Sequence, residues 1–491
     1  MNDDRRMYCA WRGWPGCWIR AAMGVLGVVL VVARSDANGL PDLFDDPLLA
    51  NPPVLENSSI ALPGDRQPWS CSDRARQVWP DPPRLLDLTD AIDIALCDNP
   101  QLKHAIAEIR LQAAALGEAR AAYLPRLSLS TSELESRTRD AFGDQRARGL
   151  ASYGTLTWRV LDFGGRSANI ELADRLLDAA SATRDATIQR VLAHVVSAYF
   201  DAVTAQAAER ERARSLELAE LTLGATRRRS LHGSASHADI AQASAAHARA
   251  ALARSRAQGE LDKARAVLLN AMGRSSEQAV RLPDALPAPR DDEAVVLDAW
   301  LEHAKHVHPA IVAARAQADA AQAKIGVARA EALPTLDLNW NVYRNGYPNQ
   351  GLSARGGTTT TIGLTLTIPL FDGFARIYGV RRAQAQSEQT SNQLEETRLQ
   401  IDLDIVKARA DVQAARRNVL ASQALLVAAM DAAQSAQRRY DHGAADIVER
   451  LRAEDGLADA QQERIRCLAE WHSARLRLKA SMGMLGRGAF E

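Results

Sequence analysis

The sequence repeats itself once. Asn99-Pro100 recurs as His308-Pro309, and Leu124-Pro125 with Leu127 and Leu129 recurs as Leu333-Pro334 with Leu336 and Leu338, all at a spacing of 209 residues. Farther on, Val160-Leu161-Asp162 matches Leu370-Phe371-Asp372, and Arg228-Arg229-Ser230-Leu231-His232-Gly233 matches Arg438-Arg439-Tyr440-Asp441-His442-Gly443, at 210. Ordered landmarks at near-constant offset mark a duplication, with one residue inserted between the two sets. The chain therefore builds one structural unit twice: residues 85–274 and 293–485, joined by a linker at 275–292 and ending at 486–491.

Each unit reads as helix, strand pair, long helix, turn, helix. From Ser167 to Arg229, and from Ile377 to Arg439, no proline occurs, and Ala, Leu and Val recur among Arg, Glu and Gln. Helices of about 60 residues reach ~90 Å, so they must pack side by side as coiled coils. Hydrophobic residues make up 47% of the chain but aromatics only 5%, which fits alanine-rich helix seams better than a compact enzyme core.

Between the helices the period changes to two. Leu336, Leu338, Trp340 and Val342 alternate with polar residues, as do Ile362, Leu364, Leu366, Ile368 and Leu370. Leu127 and Leu129, then Leu156, Trp158 and Val160, repeat the pattern in the first unit. These predict strands with one apolar and one polar face, joined by polar loops at 135–149 and 344–357 that face the outside. Eleven of the 24 aromatics fall within 123–163 and 334–378, and Tyr153, Trp158, Trp340, Tyr343 and Tyr347 suit water–lipid interfaces. Open strand edges are not tolerated in lipid, so four strands require other copies to close a barrel.

The N-terminus orders basic residues (Arg5, Arg6, Arg12, Arg20), an apolar run from Ala21 to Ala33, and small residues, as a secretory signal does. Thirteen residues of helix rise only ~20 Å against a ~30 Å hydrocarbon core, which favours a cleaved signal (residues 1–37, cut after Ala33 or Ala37) over a retained anchor. A Pro-rich segment, 38–84, follows. In an oxidising compartment Cys71 and Cys97 either pair or stay as two thiols. Sixty basic and sixty acidic side chains cancel, which argues against a nucleic-acid partner.

Together, the Leu-Asp-Leu-Thr-Asp-Ala-Ile opening from Leu86 to Pro100, the two Leu-Pro strand entries, Phe371-Asp372-Gly373 with its variant at Asp162 to Gly165, and the turns at Gly233 and Gly443 resemble the TolC family of outer-membrane channels over about Leu85 to Leu485. The resemblance implies an α+β membrane protein in the outer membrane. It would be a homotrimer whose subunits give a shared twelve-stranded β-barrel continued by a coiled-coil α-helical periplasmic tunnel. The implied partners are a periplasmic adaptor protein and an inner-membrane transporter of ABC type. The cargo would be an exported protein in type I secretion, as in channels that export repeat-in-toxin proteins, or alternatively a drug or metal in efflux.

The resemblance also implies site residues. The family closes its entrance near the two glycine turns, and the matching positions hold Asp239, six residues after Gly233, and Tyr440, three before Gly443. The family's acidic rings fall at Glu449 and at Arg452, where the charge is reversed. The adaptor-contact turns are His232-Gly233 and His442-Gly443. No phosphate loop, HExxH or GxSxG motif occurs, so no enzyme activity and no cofactor are expected. His303, His306 and His308 form a histidine cluster without an identifiable third ligand, which reads as a solvated helix end. Paired Arg228-Arg229 and Arg438-Arg439 read as solvated C-terminal turns that complement the helix dipole.

Overall fold

The computed structural model describes residues 47–50, 85–140, 143–233, 235–283, 308–345 and 357–485. The signal peptide, Cys71, His303, His306 and Tyr347 lie outside the described residues. The elements from residue 85 onward are α1 (Leu88–Asp98), α2 (Pro100–Ala121), β1 (Arg126–Asp140), β2 (Gly143–Leu161), α3 (Gly165–Leu231), α4 (His237–Ala271), α5 (Pro309–Ala330), β3 (Thr335–Asn345), β4 (Thr358–Thr367), α6 (Ala375–Asp441) and α7 (Ile447–Ser481).

The duplication is written in the helix lengths. α2 and α5 both have 22 residues, α3 and α6 both 67, and α4 and α7 both 35. At 1.5 Å per residue, α3 and α6 each run about 100 Å. The first pair is offset by 209 and the other two by 210, so the extra residue lies in the segment that carries the strands.

The sequence landmarks are caps. Asn99 Oδ1 accepts from the Gln101 N–H at 2.9 Å, and His308 Nδ1 accepts from the Ala310 N–H at 3.1 Å, each just ahead of a proline at the first helical position. Each cap is packed against by a glycine ending the last helix of its unit. Gly273 (φ +75°) would place a Cβ 2.8 Å from the Asp98 carbonyl oxygen, and Gly483 (φ +68°) would place one 2.5 Å from Pro309 Cδ. Both positions need glycine for conformation and for space.

The main core lies midway along α3, where Ile188, Leu192, Val195, Val196 and Val203 meet α1, the start of α2, the end of α4 and Leu485. Polar side chains bind the two ends of the duplicated region, Leu86 and Leu485, to this point. Tyr199 Oη donates to the Leu86 carbonyl at 3.3 Å, and the Gln189 amide exchanges two hydrogen bonds of 3.1 Å with the Leu485 backbone. Burial is uneven between the twins. α3 buries 22 residues and α6 only nine, leaving Leu420, Leu425, Val427 and Met430 exposed along α6.

The four strands form one antiparallel sheet in the order β1-β2-β3-β4. One expectation needs correction. The segment 135–149 is mostly strand: β1 continues to Asp140 and β2 begins at Gly143, pairing Glu135 with Arg148 and Arg139 with Asp144. A ribbon standing in water has no apolar face to alternate, so its residues read as loop although the backbone ladder continues. In the second unit β4 stops at Thr367, short of Ile368 and Leu370.

Candidate functional site

Residues directly opposite in an antiparallel ladder share a face, so the register sorts the sheet. One face carries Leu127, Leu129, Leu156, Trp158, Leu336, Leu338, Trp340, Val342, Ile362, Leu364 and Leu366, with Leu161 brought opposite Leu336 by a bulge at Val160. None of these side chains is buried within the chain: Leu129 is 78% exposed and Ile362 71%, while Leu156, Leu336, Leu338, Trp340 and Val342 are half-buried. The other face is polar and internally bonded. Arg159 Nε pairs with Asp337 at 3.0 Å, Tyr153 Oη donates to Asn341 Oδ1 at 3.0 Å, and Asn339 Nδ2 donates to Thr365 Oγ1 at 3.2 Å. An exposed apolar face backed by a polar one is the pattern of a membrane barrel whose interior is wet.

The aromatics divide between the faces. Trp158 and Trp340 lie on the apolar face, and the Trp158 indole N–H donates to the Tyr123 carbonyl at 2.9 Å, fixing the ring at the helix end of the barrel. Tyr153 and Tyr343, expected at the lipid interface, instead lie on the polar face, with ring centroids 6.5 Å apart in edge contact. Their parity matches Thr155, Thr157 and Asn341, not the leucines.

Strand passes into long helix through a repeated clamp. Asp162 Oδ2 accepts from the Arg166 backbone N–H at 2.6 Å and from its Nε at 3.2 Å, while Arg166 Nη1 donates to the Arg159 carbonyl at 2.6 Å. In the second unit Asp372 Oδ2 accepts from the Arg376 N–H at 3.1 Å and Nε at 2.7 Å, and Arg376 Nη1 donates to the Pro369 carbonyl at 3.1 Å. Phe163 (φ +51°) with Gly164, and Gly373 with Phe374 (φ +69°), turn the chain through left-handed conformations here. The sequence pointed to the aspartates and missed the arginines four residues on.

At the far end of the long helices, both turns close on a left-handed glycine, Gly233 (φ +72°) and Gly443 (φ +73°), following His232 and His442. Asp239 is part of a capping box: its Oδ2 accepts from the Ser236 N–H at 2.7 Å, and Ser236 Oγ accepts from the Asp239 N–H at 3.1 Å. Tyr440 is buried, its ring lying between Arg229 at 4.6 Å and Arg450 at 5.1 Å. Arg450 also donates to Glu454 at 2.7 Å and to the buried Thr222 hydroxyl at 3.2 Å, tying the second hairpin to α3. Arg450 was not expected from the sequence, and Arg229 packs on a ring where a solvated side chain was expected; Arg228 is exposed. Within one chain Asp239 and Tyr440 thus have separate partners.

Glu449 is bonded to Arg439 at 2.6 Å, and its N–H donates to the N-cap Asp446 at 2.7 Å. Arg452 is exposed. Cys97 is disulfide-bonded, and Cys71 lies outside the described residues; among the described residues Cys467 is a buried free thiol. Of the three histidines, only His308 is described. It is buried, and burial pushes its pKa below the usual histidine range.

The comparisons with known proteins agree with this architecture. The model of the outer membrane efflux protein family matches residues 91–274 and 300–484, one stretch for each unit. The chain is 37% identical over 418 residues to Protein CyaE of Bordetella pertussis, covering 84% of this chain and 88% of that protein. It is 27% identical to the cobalt-zinc-cadmium resistance protein CzcC of Cupriavidus metallidurans over 64% of this chain and 71% of the other. Among solved structures, the Campylobacter jejuni CmeC outer membrane channel superposes with a TM-score of 0.71 at 17% identity, covering 87% of this chain and 94% of that one. The chain belongs to the outer membrane efflux protein family, the TolC-like channels of the outer membrane with a helical periplasmic tunnel.

Proposed function

We propose that three copies of this chain form the exit duct of a tripartite export system, which passes protein cargo from an inner-membrane ABC transporter, through a periplasmic adaptor, to the outside. The observation that carries the reading is the sheet: four strands, one uncovered apolar face, one bonded polar face and two open edges, β1 and β4. Edges cannot remain open in lipid, and three such sheets joined β4 to β1 make a closed barrel of even strand number. The exposed apolar residues along α6 support the same assembly, since a 67-residue helix that buries nine side chains within its own chain needs neighbours.

Type I protein secretion is favoured for the cargo by the resemblance over the whole duplicated region, with which the higher identity and wider coverage against Protein CyaE agree. The second reading, efflux of metals or drugs, draws on the likeness to the cobalt-zinc-cadmium resistance protein. Near the entrance, Asp239 and Tyr440 would meet only between neighbouring subunits, closing the tunnel there. Glu449 would give one acidic ring, tempered by Arg439, and the turns at His232-Gly233 and His442-Gly443 would receive the adaptor.

Deleting the gene tests the cargo. Loss of one large secreted protein with unchanged sensitivity to toxic ions and small compounds is expected; the reverse pattern assigns the channel to efflux. A detergent-purified complex of any subunit number other than three overturns the shared barrel.

A further inference from the structure

The β1–β2 ribbon is longer than a membrane crossing requires. A tilted barrel strand crosses in about 9–11 residues, whereas β1 has 15 and β2 has 19. On the lipid-facing side the rows stay apolar as far as Leu129, Gly154 and Val342. The next row on that side is Thr131, Ser152 and Arg344. Beyond it come Glu133 opposite Leu150, Glu135 opposite Arg148, Arg137 opposite Arg146 and Arg139 opposite Asp144. Arg137, Arg139, Arg148 and Arg344 are all exposed. The reverse side pairs Ser132 with Ala151, Leu134 with Gly149, Ser136 with Ala147 and Thr138 with Gln145, and carries charge only at Asp140, so the arginines of the ribbon stand on the side continuous with the apolar band.

Closing the barrel pairs the backbone of β1 with another copy and leaves this side uncovered. By the register, five arginines (Arg137, Arg139, Arg146, Arg148 and Arg344) stand on this side against three carboxylates (Glu133, Glu135 and Asp144), which leaves it basic even though Glu133 binds Arg148 at 2.5 Å. Its height places it where the apolar band gives way to headgroups. A guanidinium fork fits a phosphate through two parallel hydrogen bonds, and basic residues just outside a bilayer draw anionic lipids.

We propose that this outward face of the β1–β2 ribbon binds phosphate-bearing lipid headgroups of the outward-facing leaflet. Arg344 and Arg148 meet the phosphates nearest the apolar band, and Arg137 and Arg139 meet those farther out. The inference rests on the barrel lying in the membrane with the ribbon tip outward, and is independent of the cargo.

The test is native mass spectrometry of the full-length detergent complex, offered a bis-phosphorylated glucosamine disaccharide lipid or the same lipid without phosphates. The phosphorylated lipid should be retained and the other lost. The combined variant Arg137→Gln, Arg139→Gln, Arg148→Gln, Arg344→Gln should lower retention at least about tenfold. The matching four-lysine variant should keep most of the binding, which separates lost charge from lost folding. The exposed α6 variant Arg382→Gln should bind as the wild type does. Equal retention of both lipids, undiminished binding by the glutamine variant, or displacement by inorganic phosphate overturns the proposal. A wild-type chain absent from outer-membrane fractions would instead overturn the export-duct reading.

Discussion

Four glycines with nearly the same backbone angle separate conformational strain from crowding. Gly233, Gly443, Gly273 and Gly483 have φ between +68° and +75°, but a Cβ at the first two would meet nothing within 4 Å. At Gly273 it would lie 2.8 Å from the Asp98 carbonyl oxygen and 2.9 Å from Asn99 Cα, both backbone atoms that cannot swing aside. Alanine at any of the four incurs about 1–2 kcal/mol for the left-handed conformation. Overlap at the packed pair adds about 1–3 kcal/mol. Gly273→Ala should therefore cost about 3 kcal/mol and Gly233→Ala about 1 kcal/mol. Gly483→Ala should resemble the former, with the Pro309 ring as obstacle, and Gly443→Ala the latter. Thermal loss of helical circular dichroism in the purified complex reads the difference, with the order of midpoints as the result. Equal midpoints for Gly273→Ala and Gly233→Ala would falsify the argument that the last helix of each unit is locked onto the cap of its first long-range partner.

Near the turns, Arg450→Ala should free Tyr440 and release the second hairpin from Thr222, raising single-channel conductance in planar bilayers; unchanged conductance removes the latch. Asp239→Ala with Tyr440→Phe should raise conductance as well if the two meet between subunits, whereas Glu449→Gln should lower cation preference and leave conductance nearly unchanged. Cys71→Ser should expose a Cys97 thiol to labelling in the non-reduced denatured protein, and no gain in labelling would exclude that pairing. Asp455 is exposed, yet desolvation of its carboxyl by the packed helices and the nearby charge of Asp459 raise its pKa, with Arg249 and Arg212 opposing. The folded chain then holds this proton more tightly than the unfolded one, so the group's contribution to stability falls as pH rises through the folded pKa. Because the residue is exposed and screened, Asp455→Asn should raise the thermal midpoint only slightly at neutral pH and have less effect near pH 3.8, the ordinary value; a gain of equal size at both pH values contradicts this.

Long-period features were legible in the sequence because they are periodic. The helix twins and most of the strand alternation recur at a fixed offset, and the structure keeps them; Asn99-Pro100 and His308-Pro309 were legible as a repeat but not as helix caps, and His308 is buried where a solvated helix end was expected. The errors came where one signal was allowed to outweigh another. Tyr153 has the parity of Thr155 and Thr157, which places it on the polar face, but its aromatic ring suggested the lipid interface. The 135–149 segment carries Gly and charge and so reads as a loop, yet a two-stranded ribbon in water satisfies its backbone without any apolar alternation. Arg450 left no trace, and Arg229 was read as solvated, because their contact with Tyr440 joins residues on three helices far apart in sequence and no local pattern encodes such a meeting.

The twin helices and the unequal ribbons give the two ends of the assembly different symmetry. Equal helices of 67 and 35 residues bring both hairpin turns of a chain to matching positions, so a trimer offers six near-equivalent turns around its periplasmic mouth. At the other end strands of 15 and 19 residues alternate with strands of 11 and 10, so the outer rim repeats only three times around the axis. A sixfold ring can seat on the first end without choosing among subunits. Anything gripping the second must count by threes.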